Sequence, residues 1–215
     1  MPVVVAPQSA RWIERMDRRV LLVGLVGLGL APAAPAQTPA QPAFPDQVAI
    51  GAELRATRTE IYDPAYVRLA YPMGDVPDDR GVCADTVVRA FRHGGVDLQV
   101  LVHQDMAADF TAYPQLWGLS RPDRNIDHRR VPNLETFFRR RGGARALSGR
   151  PADYRPGDVV SWRLTGTRLP HIGIVTHKLE AGEPWVAHNI GAGTQIEPVL
   201  FSWPMTGWFR FARWS

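Results

Sequence analysis

The fold is decided by the stretch PGDVVSWRLTGTRLPHIGIVT, residues 156–176. A Pro-Gly-Asp turn opens it, and β-branched and aromatic residues fill 159–164 and 172–176 on either side of a Gly-containing turn. This pattern predicts two short strands joined by a turn. Because side chains alternate along a strand, Ile172 and Ile174 point to one face, and His171 and Gly173 point to the other.

Working outward, the C-terminal part continues as strands and the N-terminal part reads as helices. Two further strands are predicted at 185–189 and 208–214. Helical spacing and end signals predict helices over Val48–Ile61 with Asp46 as the N-cap, over 82–93, over 98–108, and from an Asn133 cap to Arg140. Helices followed by strands indicate an α+β fold, with N-terminal helices packed on a C-terminal antiparallel β-sheet.

The first 36 residues have the pattern of a secretory signal peptide. Four Arg precede an uninterrupted apolar run at 20–30, and Ala34-Pro35-Ala36 follows it. The run is shorter than the roughly 20 residues that a membrane span needs. We therefore expect a signal peptide over 1–36, and no stable membrane insertion once it is removed.

The export route and the start of translation have two possibilities each. Arg18-Arg19 before the apolar run resembles a twin-arginine signal, so either Sec or twin-arginine export to the periplasm or the extracellular space is expected. Met1 or Met16 can be the start. The Pro/Ala/Gln-rich residues 37–46 are predicted to be a flexible linker, and 47–215 a single catalytic domain.

Charge argues against nucleic acid as a partner. The chain has 25 Lys+Arg against 21 Asp+Glu, a net charge of +4. Four Arg, Glu14 and Asp17 lie within 1–36, so the remaining chain carries only about +2. This excess is too small for a nucleic-acid-binding surface. We expect a monomer whose partner is its substrate.

Cys83 is the only cysteine, which excludes an intramolecular disulfide and a Cys-rich zinc site. It follows a polar loop at the predicted first turn of a helix. The free N–H groups and the helix dipole there stabilise a thiolate, and the same N–H groups can bind an oxyanion. The alternative, a small buried hydrophobic residue, is equally compatible with the position.

A thiol nucleophile needs a base and a group that orients it. His171, at the start of a strand, is the candidate base. His188 and Asn189 are both candidates for the orienting residue, but they lie on opposite faces of their strand. The parity of the sheet does not choose between them without the strand register.

These residues carry a resemblance to known families. A Cys that opens a helix, a Pro-Gly-Asp turn before a strand, and a strand that begins His-x-Gly-Ile resemble the NlpC-type papain-like cysteine peptidases of bacteria. The mature chain is more closely similar to the bacterial domain-of-unknown-function family 1287, over roughly residues 60–212. The matching stretches are 71–77, 81–85, 101–106, 125–134, 169–175 and 186–191.

The NlpC-type resemblance implies a papain-like fold without a cofactor. It makes Cys83 the nucleophile, His171 the base and His188 the orienting residue, because these enzymes most often have a third His. Asp85 departs from their Asp-x-Ser-Gly context, since a carboxylate two residues after the nucleophile would oppose a thiolate. We expect Asp85 to point away and to stabilise the first helical turn.

The irregular stretch 103–133 has no obvious NlpC-type counterpart, and long loops of this kind often bind ligands. The candidate substrate-binding residues of the chain are Asp75, Asp127, His128, Arg129 and Asn189. Alternatively, the stretch packs on itself, with its Arg residues paired to Asp123 and Asp127. No zinc-binding pattern of His and Glu is present, so we expect no metal site.

The sequence therefore predicts an exported cysteine hydrolase. It would cleave an amide or peptide bond, in the stem peptides of peptidoglycan, by a Cys-His-His mechanism. One alternative is a non-catalytic wall-binding or interaction module on a degenerate peptidase fold. Another is an acyltransferase that uses the same Cys-His pair.

Overall fold

A computed structural model describes residues 41–58 and 61–213 of the chain. The predicted signal peptide 1–36 lies outside the described residues. The described residues form the α-helices α1 Phe44–Arg55, α2 Cys83–His93, α3 Leu98–Ala108 and α4 Val131–Arg140. The strands in this part of the chain are β1 Ile61–Tyr62, β2 Arg80–Gly81, β3 Val159–Arg163, β4 Pro170–Glu180, β5 Glu183–Asn189, β6 Thr194–Glu197 and β7 Met205–Phe209.

The predicted α+β arrangement is confirmed. Strands β3 to β7 form one antiparallel sheet in the order β6-β5-β4-β3-β7, and all of it follows the helices in the chain. The long strand β4 is central, paired with β3 on one side and β5 on the other. Strands β1 and β2 form a separate two-residue parallel pair beside the start of α2. No helix within 41–58 or 61–213 is long and apolar enough to cross a membrane.

The two faces of the sheet belong to different apolar clusters. Ile172, Ile174 and Ala187 pack with α2 and α4 in the larger cluster, which also contains Cys83. Val160 and Trp162 lie on the other face, in a smaller cluster with Tyr154, Val175, Val186, Leu200 and Trp208. Because side chains alternate along β4 as predicted, this strand contributes residues to both clusters.

The Pro-Gly-Asp turn before β3 is fixed by contacts on both sides of the chain. Gly157 has φ +84°, and a Cβ there would lie 2.2 Å from the carbonyl oxygen of Pro45, so only glycine fits. Asp158 is buried and accepts hydrogen bonds from Trp208 Nε1 at 2.8 Å and from Arg210 Nε at 2.7 Å. The turn thereby joins α1, β3 and the end of β7.

The starts of two helices differ from prediction because a proline occupies the first turn of each helix. Helix α1 begins at Phe44, so the last residues of the predicted 37–46 linker are helical, and it ends at Arg55 rather than Ile61. Helix α4 begins at Val131, two residues before the predicted Asn133 cap. Proline is tolerated at these positions because the N–H groups of a first helical turn have no intrahelical partner.

Candidate functional site

Cys83 is the first residue of α2, as predicted. Val82 before it is extended, and its N–H donates to Asp85 Oδ2 at 2.7 Å, which closes the first turn. The carboxylate of Asp85 is thereby directed back to the start of the helix. Asp85 has the helix-stabilising role expected from the sequence.

The Cys83 thiol is buried, with 5% of the residue exposed. Burial raises the pKa of the thiol to about 12. The backbone N–H groups of Ile172 and Ala84 oppose this rise, and the Asp85 carboxylate adds to it. Burial therefore outweighs the helix N-terminus, and the thiol is neutral at pH 7, as in the buried-residue interpretation of this position and not as in the thiolate interpretation.

A buried ion pair holds Asp85 in place. The guanidinium of Arg129 donates from Nε to Oδ1 at 2.8 Å and from Nη2 to Oδ2 at 2.9 Å. Both side chains are almost fully buried. Arg129 also donates to the carbonyl oxygens of Asp63 and Ala65, so it ties the chain before β2 to the start of α2. Its charge is satisfied inside the protein, and its role is structural.

The structure brings His171 to His188 and not to Asn189. Nε2 of His171 lies 3.0 Å from Nδ1 of His188 in a buried contact. The register pairs His188 with Gly173, which places both histidines on one face of the sheet. Asn189 points to the face that carries α2, where its Nδ2 lies 3.4 Å from the carbonyl oxygen of Gly81.

Aromatic rings enclose the histidine pair. Trp162 stacks on His171 with 5.7 Å between ring centroids, and Trp203 meets both imidazoles edge-on. Burial, together with the neighbouring His188, lowers the pKa of His171 to about 3. Burial also lowers the pKa of His188, against the opposing effect of a nearby carboxylate. Both imidazoles are neutral at pH 7.

That carboxylate belongs to Glu197, which the sequence analysis missed. Its Oε2 lies 3.0 Å from His188 Nε2, although the carboxylate lies to one side of the N–H direction and no aligned hydrogen bond forms. The residue lies on β6, which pairs Gln195 with His188. Alternation in Thr194-Gln195-Ile196-Glu197 after a Gly-rich turn is the signal that would have predicted this strand.

The thiol borders an open cavity of about 460 Å³. Its walls are mostly aromatic and apolar, and the residues that line it include Tyr62, Tyr66, Cys83, Trp117, Leu169 and Pro170. Burial, with Cys83 and Asp85 nearby, raises the pKa of Tyr62 to about 12, so its phenol is a neutral hydrogen-bond donor. His171 follows Pro170 directly, so the base candidate adjoins the cavity wall in the chain. Within the described residues no hydrogen bond joins the thiol to the imidazole.

The remaining substrate-binding candidates form internal contacts. Asp75 is paired with Arg89 and Arg92. Asp127 is buried, pairs with Arg130 at 2.9 Å and accepts the N–H of Asp123. His128 is also buried, which lowers its pKa to about 4. Of the five candidates, only Arg129 lines the Cys83 cavity.

The 103–133 stretch is therefore largely self-packed around Asp127, as one of the two interpretations expected. Arg130 pairs with Asp127 and lies over the Trp117 ring at 4.0 Å, while Arg129 pairs with Asp85 rather than with an acid of the loop. In the part of the chain that the structure describes, no group of three His, Cys, Asp or Glu residues is arranged to hold a metal ion.

Comparison with known proteins gives a family match and two similar proteins. The family model described as "Domain of unknown function (DUF1287)" matches residues 49–211. "Uncharacterized protein YijF" of Escherichia coli (strain K12) is 57% identical over 165 residues, which cover 76% of this chain and 80% of that protein. The structure of NlpC1 from Trichomonas vaginalis aligns with a TM-score of 0.44 at 12% identity. That alignment covers 81% of this chain but only 46% of NlpC1, and a likeness at this level carries no argument.

Proposed function

The chain belongs to the DUF1287 family, whose description assigns no activity, and from its own site we propose that it is an exported cysteine hydrolase of amide bonds in the peptide part of the cell wall. The observation that carries the proposal is the placement of Cys83. The thiol lies at a helix N-terminus, borders an open cavity, and is close to the backbone N–H of the residue after His171. The nucleophile and space for a substrate thus occur together, and the base candidate lies at the start of the adjacent strand β4, with its imidazole on the face of the sheet opposite α2.

The proton route follows from the histidine contacts. With Nε2–H of His171 donating to Nδ1 of His188, and Nε2 of His188 protonated within 3.0 Å of the Glu197 carboxylate, the Nδ1 atom of His171 is an acceptor. The Cys83 sulfur attacks the carbonyl carbon while its proton passes to this Nδ1. The C–N bond then breaks as the proton moves to the leaving amine, and water hydrolyses the thioester.

Because thiol and imidazole are both neutral at rest, proton transfer accompanies attack and no thiolate–imidazolium pair is formed beforehand. Because the imidazole lies on the face of the sheet opposite α2, the mechanism requires substrate binding to move both the thiol and the start of β4 until the two groups meet. The carbonyl oxygen becomes an oxyanion during attack, and the backbone N–H of Cys83 together with the Tyr62 phenol can donate to it. Donors that are in place before the reaction lower its barrier most.

The cell-wall substrate rests on the export signal expected for 1–36. A hydrolase outside the cytoplasm meets peptidoglycan, and the exposed linkages of its stem peptides are amides. The open, largely apolar cavity of about 460 Å³ is large enough for a short peptide segment beside Cys83. We propose a monomer that acts without a cofactor.

The test is cleavage of purified peptidoglycan by the wild-type chain and by Cys83→Ala, with soluble products measured by mass spectrometry. Release of new amino and carboxyl termini by the wild type, and none by Cys83→Ala, is expected. Ser202→Ala, an exposed polar-to-Ala change, is the matched control and should cleave normally. Undiminished cleavage by Cys83→Ala would refute the mechanism.

The raised pKa of the thiol favours one other candidate, a non-catalytic wall-binding module. A module of this kind does not need a reactive thiol. It predicts that wild type and Cys83→Ala sediment equally with insoluble peptidoglycan while neither releases products. Release of products by the wild type alone excludes it.

A further inference from the structure

A second cleft, of about 660 Å³, has residues of the loop 119–125 as one of its walls. Its lining includes Tyr66, Arg68, His103, Arg121, Asp123 and Arg124. Arg68, Arg121 and Arg124 are all exposed, so three guanidinium groups face one open space. We call this cleft the arginine groove.

These three arginines differ from most others in the protein. Arg55, Arg89, Arg129, Arg130 and Arg163 are typical of the rest, since each pairs with a carboxylate. No Asp or Glu among the described residues lies within 4.0 Å of the guanidinium groups of the arginine groove. The Arg124 guanidinium instead lies over the Tyr71 ring, 5.4 Å from its centroid.

The single carboxylate in the groove, Asp123, is already engaged. Its Oδ2 accepts the Tyr66 hydroxyl at 3.0 Å, and its Oδ1 accepts Asn125 Nδ2 at 2.8 Å. Asn125 in turn accepts the N–H of Leu69 at 2.9 Å, which fixes the two walls to each other. The groove is thus a preformed surface with a positive charge that the protein itself does not neutralise.

One more polar atom at the groove has no partner. Nδ1 of His103 is buried and has no hydrogen bond within the described residues. Buried polar nitrogens are nearly always hydrogen-bonded, and an exception indicates a group that pairs with something outside the chain. An anion could pair with this nitrogen only if the His103 ring turned toward the groove that it lines.

The arginine groove and the Cys83 cavity are neighbours, because Tyr66 lines both. We propose that the arginine groove binds the carboxylates of an acidic peptide segment that flanks the amide bond placed at Cys83. This inference rests on the proposed function, which it extends by assigning a substrate class. Planar guanidinium forks match carboxylates in two-point contacts and keep their charge at all relevant pH values.

The experiment measures binding apart from catalysis. Fluorescence anisotropy of a fluorescein-labelled hexaglutamate peptide, with hexaglutamine as the neutral comparison, is recorded with the full chain carrying Cys83→Ala. The groove variant adds Arg68→Gln, Arg121→Gln and Arg124→Gln. The control variant adds Arg145→Gln, Arg155→Gln and Arg213→Gln, which removes the same charge from exposed positions elsewhere. Circular dichroism verifies that both variants fold.

We expect hexaglutamate to bind at least about tenfold more tightly than hexaglutamine, since three exposed ion pairs each contribute modestly. The groove variant should lose about tenfold in affinity and show a weaker dependence on salt, while the control variant stays within about twofold. Equal losses in both variants would overturn the proposal, and so would equal binding of the two peptides. A single Arg124→Gln change should give an intermediate loss.

A competition arm separates carboxylate from phosphate. Glutarate should displace the hexaglutamate peptide at least as well as inorganic phosphate does, and clearly stronger displacement by phosphate would overturn the carboxylate assignment. Cleavage is assayed separately on the chain with Cys83 intact. A chain that binds hexaglutamate through the groove but cleaves nothing refutes the hydrolase and retains the groove. A chain that cleaves, with binding unaffected by the groove variant, refutes the groove alone.

Discussion

Compared with the Cys83 thiol, which lines an open cavity, the His171 imidazole is enclosed by tryptophan rings and fixed by a second histidine. Both groups are buried and both are neutral. The thiol lies at the start of a helix among apolar residues, close to the backbone N–H groups of Ile172 and Ala84. The imidazole is held by Trp162 of β3, by His188 of β5 and by Trp203 before β7.

The difference indicates which part of the site is rigid. A ring packed between Trp162, Trp203 and His188 keeps its orientation, because each neighbour would have to move with it. The thiol side chain has one rotatable bond and faces space that a substrate can fill. We infer that the histidines form the fixed part of the site and that the thiol is the part that adjusts.

The largest effect is expected from removing the fixed base. His171→Ala should lower peptidoglycan cleavage by about 10³-fold or more, because a positioned base contributes roughly 10²–10⁴-fold. Initial rates of product release measure it. His177→Ala, at an exposed histidine paired with Glu53, is the control and should cleave normally. Equal rates for His171→Ala and wild type would remove His171 from the mechanism.

On the thiol side, the largest effect is expected on stability. Asp85→Asn leaves Arg129 buried beside a neutral partner and should lower the free energy of unfolding by about 3 kcal/mol. Urea denaturation followed by tryptophan fluorescence measures the change. Asp153→Asn breaks a solvent-exposed pair with Arg150 and should cost far less, because water screens such pairs. Similar losses at the two positions would contradict the assigned role of the Asp85–Arg129 pair.

The choice between His188 and Asn189 as orienting residue gives a smaller, more specific effect. His188→Ala should lower the rate about 10²-fold, whereas His188→Asn, which can still hydrogen-bond to Nε2 of His171, should recover part of it. Asn189→Ala should change the rate by no more than a few fold, because its side chain lies on the α2 face of the sheet and does not contact the His171 imidazole. The reverse order of the two positions would make Asn189 the orienting residue.

His171 and Cys83 should change the stability of the protein at opposite ends of the pH range. The folded pKa of His171 is about 3 against about 6.5 unfolded, so stability is lost as pH falls through this range. The folded pKa of Cys83 is about 12 against about 9, so stability is lost as pH rises from 9 toward 12. Each proton contributes up to about 1.4 kcal/mol per pH unit.

Two substitutions test these losses of stability by urea denaturation across pH. His171→Asn should reduce the loss of stability at acid pH and leave the alkaline loss unchanged, with His128 and His188 maintaining the rest of the acid loss. Cys83→Ala should reduce the alkaline loss alone, with Tyr62 maintaining the rest of it. If either change reduced the loss assigned to the other group, the assignment would be wrong.

Local sequence signals predicted the elements whose ends depend on neighbouring residues. Helix α3 was expected at 98–108 and lies there, because Asp97 caps it by accepting the N–H of Gln99. Helix α2 was expected at 82–93, and the Gly94-Gly95 pair ends it. Strand β6 was not predicted because its alternation extends over only four residues, and its pairing with β5 is what stabilises it.

By itself, the sequence determined that a lone thiol opens a helix and that a histidine begins the strand after a Pro-Gly-Asp turn, because turns, caps and alternation are local properties. Only the tertiary structure decided that His188 rather than Asn189 meets His171, since a shift of one residue in register exchanges them. It also decided which arginines are neutralised. Arg129 and Arg124 are five residues apart in one loop, yet one reaches a buried Asp85 and the other faces an open groove, because ion pairs depend on partners distant in sequence.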